Sequence, residues 1–456
     1  FDIEFDEGAG FPDDAPQNIY GPYFQRQRVE IYHTYAKSLV ERGLAYPCFC
    51  TEEELDKVRA KQEEDKVLTG YYGEYATCRN LSYEEIEANI KAGKPYVLRL
   101  RSQGSPDKEI TFVDAIKGEI KLPENIHDIV LLKKDGIPTY HFAHAIDDHL
   151  MRTTTVVRGG EWLASAPIHY ELFHLLGFKM PAYAHTAHLM KFDEETGGKR
   201  KLSKRKDPEL SLDYYRKDGY HPYTMKVYLL TLLNSNFEEW HEKFPDKDIN
   251  EFPFSVEKMN QSGALFDKDK LHNICKNELS KLSEEELYDF LYDWARENEP
   301  ENVEKWFGDR EKMLQILRLY MGVGAKRRRK DLMYAKQIFE LISYFFDGES
   351  AEEMDEFKLD EDMVSKILKS YLAKYDHNDD NSVWFNKLKE IADEHGFASD
   401  MKAYKANPEN FKGNVSDIAE AVRIAVTGRA NTPDLWTIVH IMGEEQMTER
   451  IKKHIK

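Results

Sequence analysis

The run Lys201-Leu202-Ser203-Lys204-Arg205, with Gly197-Gly198-Lys199-Arg200 ahead of it and Lys206 behind, puts cationic side chains on a glycine-hinged segment. Such a loop can close over a nucleotide's phosphates and stabilise the charge that develops as pyrophosphate leaves, which is the chemistry of adenylate formation. A solvated basic loop has the same composition, so the run takes its meaning from its context. Upstream stand Tyr140, Arg158 and Trp162, the candidates for an amino-acid site. A guanidinium grips a carboxylate with two parallel hydrogen bonds, and a phenol hydroxyl adds a neutral one that fixes orientation. A buried structural arginine is the alternative for Arg158. His144 can also donate a hydrogen bond, and it can titrate near neutral pH. His141, His144 and His149 beside Asp147 and Asp148 have the residue types of a metal site. We expect the two aspartates instead to hold a helix start or to hydrogen-bond at a sheet edge.

The segment Asp135-Gly136-Ile137-Pro138-Thr139-Tyr140-His141-Phe142-Ala143-His144-Ala145-Ile146-Asp147-Asp148-His149, then Val156-Val157-Arg158-Gly159-Gly160-Glu161-Trp162, then the lysine loop, resemble the second half of the catalytic domain of bacterial glutamyl-tRNA synthetases, a class I aminoacyl-tRNA synthetase family. Asp6-Glu7-Gly8 and Tyr20-Gly21-Pro22-Tyr23-Phe24-Gln25-Arg26-Gln27-Arg28 look like that family's early strand-and-helix region, and Lys201 to Arg205 looks like its KMSKS-type loop. Arg423-Ile424-Ala425-Val426-Thr427-Gly428-Arg429-Ala430 is similar to a run in its anticodon-binding region.

The resemblance implies ATP-dependent ligation of L-glutamate to tRNA(Glu) through glutamyl-adenylate, with magnesium accompanying ATP. It makes Tyr140, His144, Arg158 and Trp162 the substrate-binding residues, His144 standing where many members carry Asn. It makes Lys204 and Lys201 the catalytic lysines, within an ATP-binding loop of Lys201, Leu202, Ser203, Lys204 and Arg205. The family's substrate-binding Arg strand and HIGH-type motif lie before the point where this chain starts, and His185-Thr186-Ala187-His188 reads as ordinary loop and strand rather than a replacement. The chain is therefore expected to be an N-terminally incomplete, catalytically incomplete fragment. A glutaminyl or non-discriminating enzyme and a non-catalytic tRNA-binding fragment are the rival readings.

Some members of the family hold zinc with a Cys-x-Cys pair and a later Cys-x-His. Here Cys48-Phe49-Cys50 and Cys78 match, but Asn80 stands at the histidine position. Zinc on Cys48, Cys50 and Cys78, with Tyr72, Tyr75 or a water as fourth ligand, and three reduced structural cysteines both remain open. Cys275 is expected in a core.

At 456 residues the chain predicts more than one domain. Four cysteines make no disulfide framework, which fits a reducing compartment. No apolar run approaches the roughly twenty residues of a membrane helix. A cytoplasmic monomer without membrane contact is expected. The net charge of −19 argues against unspecific nucleic-acid affinity, yet a tRNA meets only part of a surface. The basic run 326–330 reads equally as a backbone contact or a solvated helix end, and the acidic run 350–362 can face solvent.

Helical spacing over 24–44, 51–66, 82–92 and 165–176 predicts helices, and alternation over 96–101 and 110–113 predicts strands. Residues 129–132 read as a buried parallel strand and 185–191 as another. Beyond 210 the pattern is helical, most clearly at 223–233, 284–297, 311–319 and 331–346. The expected fold is a Rossmann-like α/β class I synthetase catalytic domain with an α+β acceptor-stem insertion and helical anticodon-binding domains. Its boundaries are 1–46 (first catalytic remnant), 47–127 (insertion), 128–209 (second catalytic half), 210–310 (helical stem-contact domain) and 311–456 (anticodon-binding domain).

Overall fold

The computed structural model describes residues 5–10, 18–193, 195–346 and 354–456. Residues 1–4 and 11–17 of the expected first segment, and 350–353 of the acidic run, lie outside the described residues. The chain gathers into two compact units, one made of residues up to 202 with 230–266, the other of 203–229 with 267–456.

In the first unit, helix α1 (Val29–Glu41) turns Tyr32, Ala36 and Leu39 into the core along one helical face, and Gly43, at φ +68°, follows its end. Strand β1 (Ala45–Cys48) comes next. Helices α2 (Glu52–Glu64) and α3 (Tyr83–Lys91) each begin on a capping box, Thr51 with Glu54 and Ser82 with Glu85, which satisfies the free N–H groups of the first turn. Then come β2 (Val97–Leu100), β3 (Glu109–Asp114), β4 (Gly118–Pro123) and β5 (Val130–Leu132).

Strand β5 departs from expectation. It pairs antiparallel with β2, whose other edge takes β1. Only Leu131 in it is fully buried, sharing a core with Tyr32, Leu98 and Phe142. A short apolar run marks burial but says nothing about strand direction.

The parallel pairing lies further on. After α4 (Tyr140–Leu150), β6 (Thr155–Gly159) leads through a 3-10 turn (Gly160–Ser165) into α5 (Ala166–Leu176) and back to β7 (Ala182–Thr186), parallel to β6. Only the helix of this strand-helix-strand unit is the expected one; its strands are 155–159 and 182–186, not 129–132 and 185–191. The other edge of β7 takes β3 in parallel at Asp114, so the β3–β4 hairpin of the inserted segment extends the catalytic sheet. Residues 185–191 are not one strand: β7 stops at Thr186, and β8 (Leu189–Phe192) pairs antiparallel with β9 (Lys199–Lys201) and parallel with β10 (Ala264–Leu265).

Apart from β10, the described chain beyond 210 is built of helices: α6 (Leu212–Asp218), α7 (Pro222–Leu233), α8 (Phe237–Lys243), α9 (Lys268–Leu279), α10 (Glu284–Asn298), α11 (Val303–Phe307), α12 (Arg310–Met321), α13 (Ala335–Ile342), α14 (Glu361–Lys374), α15 (Asn381–His395), α16 (Met401–Ala406), α17 (Val415–Thr427), α18 (Leu435–Met442) and α19 (Glu444–Lys452). In the second unit, Leu287 and Leu291 of α10, Leu314 and Leu317 of α12, and Ile418 and Val422 of α17 belong to one core. Helix α13 starts later than predicted because Tyr334 is extended. The basic run 326–330 lies in the irregular connection before it.

Candidate active site

Arg158 sits near the carboxyl end of β6, paired in register with His185 on β7. Open α/β sheets place ligands at the carboxyl ends of their strands. Its Nε donates to His185 Nε2 at 3.0 Å and one terminal nitrogen donates to His169 Nδ1 at 3.2 Å. The other lies 3.5 Å from the Trp162 carbonyl, and the guanidinium stands 4.6 Å over the Tyr183 ring. Tyr140 opens α4 and is exposed, its ring 4.4 Å from Trp162. The structure thus brings Tyr140, Arg158 and Trp162 together.

His144 lies behind Tyr140, stacked at 5.6 Å. Its Nδ1 meets the Asp148 carboxylate and its Nε2 is 2.7 Å from the Tyr183 hydroxyl, so both ring nitrogens are occupied by the protein. His141 Nδ1 meets His169 Nε2 at 2.9 Å, while His149 stacks on Phe178. The expectation for the aspartates is corrected: both lie in the last turns of α4, Asp148 binding His144 and Asp147 accepting from Arg28 and Tyr32.

Burial pushes the imidazoles of His141, His169 and His185 below their ordinary range, His169 furthest. Neutral rings are what a permanently charged guanidinium requires of its acceptors. Sequence reasoning missed His169, Tyr183, His185 and Asp114. The signal was the i, i+2 spacing of Tyr183 and His185 on one strand, which puts both on one face.

In the lysine loop, Lys201 closes β9 with Nζ 3.4 Å from His188 Nε2, and Leu202 is buried. The Ser203 N–H donates to the buried Asp207 carboxylate at 2.7 Å, and the Ser203 carbonyl accepts from Lys206 and Asp207, which makes a tight turn. Lys204 and Arg205 stand exposed on that turn.

Cys48, Cys50 and Cys78 converge, their sulfurs all within 4.8 Å of one another and Cys50 Sγ 3.5 Å from Cys78 Sγ. Tyr71, not Tyr72 or Tyr75, is the phenol beside them, at 3.4 Å from Cys48 Sγ and 3.3 Å from Cys50 Sγ. Tyr72 donates to the Leu68 carbonyl and Tyr75 to Asp65. Hydrogen bonds from Cys50 and Cys78 hold the Cys48 thiol well below its ordinary range. Tetrahedral zinc at about 2.3 Å from each thiolate sets sulfurs roughly 3.8 Å apart, so the cluster fits the ion.

In the second unit a cavity of about 660 Å³ is lined by Arg318, Arg327, Arg329, Trp436 and His440, among others. The Trp436 and His440 rings are 4.2 Å apart, and His440 stacks on His377 at 4.7 Å. Among the described residues no helix is long and apolar enough to cross a membrane.

Residues 4–273 match the family of class I tRNA synthetases (E and Q), catalytic domain, and residues 286–455 match an anticodon binding domain. With the parallel crossover and the basic loop in place, the fold and site define an aminoacyl-tRNA synthetase, and the chain belongs to class I of these ligases. Within that class it belongs with the glutamate–tRNA ligases. It is 52% identical over 455 residues to the glutamate–tRNA ligase of Acetivibrio thermocellus, covering 99% of this chain and 82% of that protein. It is 45% identical over 460 residues to that of Clostridium perfringens (strain SM101), covering 100% and 82%. A crystal structure of a glutamate tRNA ligase from Elizabethkingia meningosepticum in complex with its amino acid superposes with a TM-score of 0.73 at 26% identity, covering 97% of this chain and 86% of that one. The resemblance read from the motifs therefore holds, and the glutaminyl and non-catalytic alternatives are not favoured.

Proposed function

We propose that the chain couples L-glutamate to tRNA(Glu), as the name of its 52%-identical relative says of that protein, and is not the catalytically incomplete fragment expected from its motifs. The coupling takes two steps. A glutamate carboxylate attacks the α-phosphate of ATP, releasing pyrophosphate and giving glutamyl-adenylate. The terminal ribose hydroxyl of the tRNA then attacks the acyl carbon and releases AMP. No side-chain nucleophile is needed, and catalysis comes from positioning and charge stabilisation.

The observation that carries this reading is Arg158, a guanidinium anchored from behind by two neutral histidines beside Tyr140 and Trp162. It would grip a glutamate carboxylate, with the Tyr140 hydroxyl as second donor and Trp162 as wall. His144 would act on substrate through Tyr140, whose ring it backs. Lys204 and Lys201 would stabilise the leaving pyrophosphate, with Leu202, Ser203 and Arg205 shaping the ATP loop and magnesium accompanying ATP.

For the tRNA, residues 47–127 would meet the acceptor stem, 210–310 the inner stem and 311–456 the anticodon, with 128–209 completing the catalytic domain begun in 1–46. The cavity walled by Trp436, His440 and Arg327 suits unstacked bases, which stack on aromatic faces beside cations. Cys48, Cys50 and Cys78 would hold a zinc ion that braces the insertion, with Tyr71 nearest the fourth position. The protein would work as a cytoplasmic monomer.

The test is R158A in tRNA(Glu) charging. Losing a charge-assisted pair to the carboxylate costs about 2–3 kcal/mol, so the KM for glutamate should rise about thirty-fold or more with the KM for ATP little changed. An unchanged glutamate KM would remove Arg158 from the site.

A further inference from the structure

The histidine that anchors Arg158 is itself held by a residue of the inserted segment. Asp114, the last residue of β3, has both carboxylate oxygens committed. Oδ1 accepts from the backbone N–H groups of Ile116 and Lys117 at 2.9 Å each. The His185 N–H lies 3.3 Å from Oδ1 and 3.1 Å from Oδ2, and His185 Nδ1 lies 2.6 Å from Oδ2. Neither side chain reaches solvent. On the far side of the same ring, Nε2 receives the Arg158 Nε–H at 3.0 Å.

Donor arithmetic locates the ring proton. A guanidinium only donates, so His185 Nε2 accepts and carries no proton. The single proton of the neutral ring is then on Nδ1 and goes to Asp114, which as a carboxylate only accepts. A carboxylate at this place permits one tautomer of the ring, the one that presents a lone pair to Arg158.

We propose that Asp114 is a positioning residue for amino-acid recognition: it fixes His185 in the Nδ1–H tautomer so that Nε2 anchors the Arg158 guanidinium toward the substrate carboxylate. The proposal rests on the assignment of Arg158 to the glutamate site. It gives the inserted segment, expected to serve the tRNA acceptor stem, a part in binding the amino acid. The plainer role, pinning the turn after β3, accounts for the bonds to Ile116 and Lys117 but not for the ring.

The variant that separates the two roles is D114N. Its Oδ1 keeps the turn, while the amide nitrogen in place of Oδ2 donates. His185 Nδ1 must then accept, the proton moves to Nε2, and two donors face each other at Arg158. With 15N-histidine-labelled protein, the His185 signals, assigned by their loss in H185Q, should show Nδ1–H in the wild type and Nε2–H in D114N. Glutamate affinity by calorimetry should fall about 10- to 100-fold in D114N, with ATP affinity near wild type. Gln at 185 offers an acceptor that needs no tautomer, so H185Q should weaken glutamate binding modestly and D114N added to it should cost nothing further. The proposal is overturned by Nε2–H in the wild type, by a tautomer flip that leaves glutamate affinity unchanged, or by full additivity of D114N and H185Q. Wild-type protein with the Nδ1–H ring but no glutamate binding would overturn the Arg158 assignment instead, and the positioning role with it.

Discussion

Arg28, at the entry to α1, donates through Nε to Asp147 in the last turns of α4 at 2.9 Å, across 119 positions of sequence, and the Tyr32 hydroxyl reaches the other carboxylate oxygen at 2.6 Å. The Arg28 side chain is 3% exposed and that of Asp147 is 22% exposed. This pair ties the helix that begins with Tyr140 to the early part of the catalytic unit.

Removing one partner of a buried ion pair strands the other. D147A should therefore lower stability by about 2–4 kcal/mol, the lower end reflecting the partial exposure of Asp147. D147N, which keeps an acceptor for Arg28 or Tyr32, should cost less. Denaturant midpoints of the two variants check this, and equal midpoints for D147A and wild type would contradict it.

The neutral histidines behind Arg158 predict a pH dependence. Burial lowers the pKa of His169, and of His141 and His185 with it, below 6.5. Below that pH the unfolded chain binds protons that the folded chain refuses, so the stability is intact above about pH 6.5 and is lost as the pH falls. A fully refused proton costs up to about 1.4 kcal/mol per pH unit below 6.5. Stability should decline from pH 7 toward pH 5.5, and H169Q should flatten the decline. A wild-type minus H169Q difference that is constant with pH would contradict it.

The cysteine cluster predicts zinc. Metal analysis of the purified protein should find about one zinc per chain, lost together with thermal stability on treatment with a strong chelator. C78S should lower the zinc content as well. Zinc-free wild-type protein with unchanged stability after chelation would leave three reduced thiols around Tyr71.

The cavity of the second unit predicts two separable effects on tRNA. W436A should weaken tRNA(Glu) binding by about 1–3 kcal/mol through lost stacking, with glutamate affinity unchanged. R327A should reduce the salt dependence of binding by about one phosphate contact. Binding curves across a salt series decide both, and wild-type curves for both variants would contradict the assignment.

Much of this was legible in the residues. Apolar spacing marked α1, α2, α3, α5 and α10, because this signal is local. Strand pairing was not, because direction and partner depend on distant chain: the apolar run at 129–132 proved antiparallel, and the insertion's hairpin joined the catalytic sheet. At the site, Tyr140, Arg158 and Trp162 were readable by side-chain chemistry and motif. The supports were not, since His169 and His185 meet Arg158, and Asp114 meets His185, only once β3, β6 and β7 lie side by side. The same blindness picked Tyr72 and Tyr75 beside the cysteines where the fold supplies Tyr71.

Incubating the chain with tRNA(Glu), ATP, magnesium and labelled glutamate, with labelled glutamine in a parallel reaction, should give glutamyl-tRNA and no glutaminyl-tRNA. Transfer of glutamine, or no transfer of glutamate, would contradict the proposed function.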